Sequence, residues 1–217
     1  MTADRSFIVD RLHGRVRVAT VVVWLGCWVA LMGIGVGLSA LLFGTQPILF
    51  WLPWSLGTLW FSQYPSRWAE ARLAERWPSG RTLHLSAAAL TLNNAGQPVE
   101  INRQLPFQRS TWCFKIQRQR GSRVPAGHFC LAARWGQDQN EIVMYAFASQ
   151  AESAALRADN GFYELLSARD RSAAAGPTTR GRDEAYLAAE NARYERGGEL
   201  SLADFEEVVR TVAPVSG

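Results

Sequence analysis

The chain has 217 residues, 48% hydrophobic and 19% charged, with a formal net charge of +4. Those averages conceal a run of 49 residues, Val18 to Ser66, without one Asp, Glu, Lys or Arg. A bilayer core accommodates such a run and a water-soluble fold does not. This excludes an ordinary single-domain cytosolic enzyme and leaves about 150 residues outside the bilayer, enough for one small domain with extensions.

Of the 23 basic residues only Lys115 is not Arg. The basic excess is too small and too scattered to argue for nucleic acid, and it suits a protein lying beside anionic headgroups. Residues 1–17 read as a cytoplasmic segment. Residues 18–64 then read as a two-span hairpin: a first span from Val18 to Phe43, a polar break at Gly44-Thr45-Gln46-Pro47, and a second span from Ile48 to Tyr64. Trp51, Trp54, Trp60, Tyr64 and Trp68 fall near the ends of the second span, where aromatic rings favour the headgroup boundary. The first apolar run is too long for a signal-peptide core and a second follows at once. Arg5, Arg11, Arg15 and Arg17 precede the first span, Arg67, Arg72, Arg76 and Arg81 follow the second, and the connecting loop is uncharged. The positive-inside rule therefore predicts both termini in the cytoplasm of a bacterial inner membrane.

Gly26, Ala30, Gly33 and Gly37 share one face of the first span and form a groove for close helix approach. The groove suits either the second span of the same chain or a second copy. Neither span contains an ionisable side chain, so a transport path has no support. Residues 65–78 read as a juxtamembrane helix, with Trp68, Leu73 and Trp77 at the interface and Arg67, Arg72 and Arg76 reaching headgroups.

From residue 79 the pattern alternates. Strands are predicted over Thr82–Ser86, Ala89–Asn93, Pro98–Asn102, Trp112–Arg118, Gly127–Trp135 and Asn140–Phe147, with turns at Asn93–Gly96, Arg120–Ser122 and Gly136–Gln139. Trp112, Phe114 and Ile116 on one strand, and Phe129, Leu131, Ala133 and Trp135 on the next, are expected to meet in one antiparallel core. Ser149 and Glu152 form a capping-box signature opening a helix to Ala168. This order of elements, six short strands and a closing helix over residues 79–168 beside a membrane hairpin, resembles the bacterial pleckstrin-homology-like domains. The resemblance implies an α+β fold in which a small antiparallel sheet or barrel is closed by a C-terminal helix.

Residues 169–182 read as a flexible linker. In residues 183–217, a helix over Asp183–Arg196 stops at Gly197-Gly198, and Ser201-Leu-Ala-Asp204 caps a second helix reaching Val212. Gly198, Leu200, Ser201, Asp204 and Phe205 make this tail similar to the SHOCT helical hairpin, although the doubled glycine and Glu199 depart from its commonest spacing. The resemblance implies a tail for protein interaction or self-association, with Leu200 and Phe205 as contact residues.

No phosphate loop, nucleophile elbow or zincin motif is present, so no catalytic residues and no cofactor are expected. A hairpin centred on Gly121-Ser122 sets Cys113 opposite Cys130, with His128 on the same face. A fourth metal ligand is lacking and cysteine is commonly a buried hydrophobe, so no metal is expected. Lys115, Arg118, Arg120 and Arg123 surround the same turn and form either a lipid-binding tip or a solvated one. The expected function is a non-enzymatic membrane scaffold or adaptor, with membrane lipids and a protein partner or second copy as its contacts and no nucleic acid. The alternative is a membrane effector or stress protein whose soluble domain senses a ligand and whose spans oligomerise.

Overall fold

The computed structural model describes residues 4–10, 13–44, 48–94, 96–117, 124–166 and 177–213. The chain divides into two compact units, one of residues 11–79 and one of residues 1–10 with 80–217.

The first unit is helical: α1 (Gly14–Phe43), α2 (Ile48–Phe61) and α3 (Gln63–Arg76). Within α1, the stretch Gly14–Leu41 is long and apolar enough to cross a membrane. The helix ends at Gly44, whose φ of 61° is left-handed and suits glycine. α2 and α3 are interrupted only at Ser62, because Pro65 has no N–H to give the carbonyl of Phe61. The juxtamembrane helix therefore starts at Gln63, ahead of the proline expected to open it.

The second unit is α+β, with two open sheets and no closed barrel. One sheet is the meander β1 (Arg5–Ile8), β2 (Arg81–Leu85), β3 (Ala89–Asn94) and β4 (Gln97–Asn102). The other has antiparallel β5 (Gln108–Lys115), β6 (Phe129–Gln137) and β7 (Asn140–Ala148) at its centre. Parallel two-residue strands border it, β8 (Tyr163–Glu164) on β5 and β9 (Gly198–Glu199) on β7. Of the expected sheet or barrel, the structure has open sheets: next to β4 no strand pairs across to the other sheet, and a side chain makes the link, the Gln137 amide accepting from the Asn102 N–H at 2.8 Å and donating to the Asn102 carbonyl at 3.0 Å. Helix α4 (Gln150–Asn160) has the predicted Ser149/Glu152 capping box, but left-handed Gly161 ends it well before Ala168. Helices α5 (Pro177–Arg196) and α6 (Leu202–Thr211) complete the unit.

Strand alternation builds the core between the sheets. Leu83, Leu85, Leu90, Leu92 and Ile101 face Leu131, Trp135, Ile142 and Met144, with α6 contributing Phe205, Val208 and Val209. The opposite face of the five-stranded sheet is covered by α5, whose Ala189 and Ala192 lie against Trp112, Ala132 and Val143. The two aromatic rows expected to meet therefore lie on opposite faces: Trp112 and Phe114 face α5, while Phe129, Leu131, Ala133 and Trp135 face the other sheet. The cause is register. Phe114, not Cys113, pairs with Cys130, and a slip of one residue reverses every side chain.

Three domain boundaries change accordingly. The cytoplasmic segment 1–17 divides into strand β1 and the start of α1. The predicted linker 169–182 is helical from Pro177 onward, its earlier residues lying outside those described. Residues 183–217 are no separate hairpin, since β9 joins the sheet and α6 enters the core. Leu200 (4% exposed) and Phe205 (0%) are core residues, not an exposed contact surface.

Candidate membrane anchor and its clasp

The helical unit is held by side chains that serve its own backbone. Trp54 Nε1 donates to the Leu31 carbonyl at 3.2 Å, and Thr58 Oγ1 approaches Met32 Sδ at 3.6 Å. Ser39, Ser55, Thr58, Ser62 and Ser66 each return their hydroxyl to a carbonyl three residues earlier. Every hydroxyl on this set is thus satisfied without water, as a bilayer interior requires. Trp60 packs edge-on against Phe61 and Tyr64, with ring centroids 5.2 and 5.3 Å away.

The glycine that α2 touches is Gly35, not a member of the predicted small-residue stripe. A Cβ built at Gly35 would overlap the Trp54 indole, whereas one at Gly26, Gly33 or Gly37 meets nothing within 4 Å. Gly26, Ala30, Gly33 and Gly37 are all exposed and lie half a turn from Gly35 on α1. Packing of that stripe against the second apolar segment of the same chain is therefore excluded. Sequence spacing favoured the stripe because it repeats; Gly35 stands alone and gives no pattern.

The α+β unit carries a clasp where the two connections to the helical unit begin. Ile8 pairs with Thr82, and the Val9 N–H donates to the Arg81 carbonyl at 3.1 Å. Asp10 follows at a φ of 52°, a left-handed conformation that Asp tolerates better than most residues. Its carboxylate accepts from Arg81 Nη1 at 2.5 Å and from the Glu199 N–H at 2.8 Å, while its own N–H donates to the Glu199 carbonyl at 2.8 Å. Arg81 Nη2 donates to the Arg196 carbonyl at 3.1 Å. Beside them Gly198 is required for close approach, since a Cβ there would stand 2.5 Å from Val9 Cγ1 and 2.9 Å from Met144 Sδ. Three distant segments meet here; the sequence marks Arg81, Gly198 and Glu199 for other reasons, and nothing in it joins them to Asp10.

Other predicted site residues separate. Cys113 and Cys130 face opposite sides of the sheet, and among the described residues no group of three or more His, Cys, Asp or Glu could hold a metal ion. Burial pushes the Cys113 thiol up and the Cys130 thiol up to about 12. These are neutral core groups. Lys115 is exposed at the end of β5, while Arg118, Arg120 and Arg123 lie outside the described residues. Arg193 is structural: its guanidinium bonds Glu190 at 2.6 Å and lies over Tyr145 at 4.8 Å, and Glu190 accepts from Trp112 Nε1 at 2.9 Å. This fastens α5 to the sheet. The chain matches no protein-family model, no curated protein and no solved structure.

Proposed function

We propose that the protein is a non-enzymatic membrane scaffold, in which a two-pass helical hairpin anchors a cytoplasmic α+β interaction module. One observation carries the reading: strands β1 and β2 pair residue for residue, although the whole helical unit lies between them. A hydrogen-bonded sheet cannot be divided by a bilayer. If α1 leaves through the membrane, the chain must return before Arg81. The return arm runs from Ile48 to Ser66, 19 uncharged residues made of α2, the interruption at Ser62 and the start of α3, or about 28 Å at helical rise, close to one hydrocarbon thickness. Arginines flanking both arms then favour a cytoplasmic module.

We read the module as pleckstrin-homology-like on its order of elements alone, two meanders of strands packed on each other and followed by α4. The C-terminal helices act in this reading as part of the module, because their apolar residues are consumed by its core. Partner contacts are left to the outer surface and the basic β5–β6 connection. Reporter fusions at Thr45 and at the C-terminus test the arrangement. Opposite sides are expected; a C-terminus on the side of Thr45 refutes it.

The effector alternative draws on a different observation, the exposed Gly26/Ala30/Gly33/Gly37 stripe, which is free to meet a second copy. Membrane leakage on expressing the full chain, abolished by Gly33→Leu, would favour it over the scaffold.

A further inference from the structure

Helices α1 and α3 enclose a groove of about 440 Å³ within the helical unit, lined by Val23, Trp68, Ala69, Arg72, Leu73 and Arg76. Its floor is aliphatic, and two arginines one helical turn apart stand over it. The Arg72 guanidinium lies 5.9 Å from the centroid of the Trp68 ring, which holds it beside the groove. Neither Arg72 nor Arg76 has a carboxylate partner among the described residues. Two unpaired guanidiniums over an aliphatic floor match one chemistry: a phosphodiester joined to hydrocarbon.

The height of the groove fits that chemistry. On the return arm the first charge after the apolar run is Arg67, and Trp68 follows it directly. The groove therefore begins where the hydrocarbon ends, at the level of lipid phosphates. We propose that it binds one anionic glycerophospholipid. Arg72 and Arg76 take the phosphate oxygens through paired N–H donors, and Val23, Ala69 and Leu73 take the first methylenes of an acyl chain. This inference rests on the membrane reading above, and it makes the anchor selective for lipid charge at one position instead of merely attracted to an acidic surface.

The test uses the full chain in nanodiscs containing equal phosphatidylglycerol and phosphatidylcholine, followed by native mass spectrometry of the lipids retained on release. Wild type should retain one phosphatidylglycerol in preference to phosphatidylcholine. Arg72→Gln with Arg76→Gln should lower that preference by roughly tenfold, from two cationic contacts near the surface. Val23→Trp, which fills the floor and leaves every charge in place, should also lower it. Arg15→Gln with Arg67→Gln removes the same charge outside the groove and should leave the preference within about twofold of wild type. An equal loss in that control overturns the site in favour of diffuse attraction. Displacement of the lipid by excess glycerol phosphate overturns it in favour of a soluble phosphate ester. Carbonate extraction separates the two readings: a wild-type chain released by carbonate refutes the anchor, whereas an anchored chain without lipid preference refutes only the groove.

Discussion

Replacing Phe205 by alanine should destabilise the whole α+β unit, although the residue lies near the end of the chain. Its side chain is completely buried, its ring centroid is 6.4 Å from that of Phe162, and it shares one cluster with Leu83, Trp135 and Met144 from both sheets. Truncating a buried Phe costs about 3–5 kcal/mol, combining lost burial with the cavity left behind. The local helix should survive, because its start is fixed elsewhere: Ser201 Oγ accepts from the Asp204 N–H at 3.2 Å. The effect therefore belongs to the core. With a urea dependence of about 2 kcal/mol per molar, the unfolding midpoint of the unit should fall by roughly 2 M. Pulse proteolysis of the full chain in detergent micelles measures this, because cleavage between β2 and β7 reports loss of the sheets. If those sites stay protected to the wild-type midpoint while cleavage after Pro177 increases, the tail is a separate module and its assignment to the core is wrong.

Further outcomes follow from the same contacts. Gly35→Leu should lower the thermal stability of the helical unit in detergent, since the new side chain displaces Trp54; Gly33→Leu and Gly37→Leu should not, and equal effects at the three sites would refute the packing described. Asp10→Ala should accelerate hydrogen exchange at the Glu199 amide by about tenfold or more, because the carboxylate acceptor is gone and the left-handed backbone disfavours alanine, while Asp10→Asn, which keeps an acceptor and tolerates that backbone, should lie between. The buried Cys130 thiol should resist alkylation in the folded chain at pH 8 and react on unfolding; rapid modification of the native protein would refute its burial. Its pKa rises from 9.0 to about 12 on folding, so this contribution is fully present below pH 9, declines as pH rises toward about 12, and is lost above it. A urea midpoint that stays constant between pH 9 and 11 would contradict this sign.

The sequence revealed the elements that carry their own local signal. The Ser149/Glu152 box, the Ser201 cap and the six alternating segments all correspond to observed starts and strands, because caps and alternation act over three or four residues. What escaped was decided at a distance. Arg5–Ile8 is too short to stand out beside a 30-residue apolar helix, and its partner lies beyond that helix and its return. Strands β8 and β9 have two residues each and exist only because a sheet edge receives them. The β5–β6 register differs from the one that a tight turn at Gly121-Ser122 implies. The Gly127 N–H actually donates to the Ile116 carbonyl and the Ile116 N–H to the His128 carbonyl, so the connection leaves the ladder earlier and the pairing shifts by one. For the candidate anchor, the apolar run and the arginines were visible; the choice of Gly35 over the repeating glycines needed the indole that sits on it.

The pairing of Ile8 with Thr82 also orders events during synthesis. The ribosome releases β1 first, and that strand has no partner until both arms of the hairpin have been made. On the proposed topology, insertion must finish before the sheet can begin. A nascent chain whose return arm fails to cross leaves β1 and β2 on opposite sides of the bilayer, with Leu83 and Phe7 unable to bury each other. Such a chain cannot assemble its α+β unit and keeps its apolar strands open to proteases and chaperones. On that topology, correct threading is a precondition of the complete module, and a mis-threaded copy leaves apolar strand faces exposed.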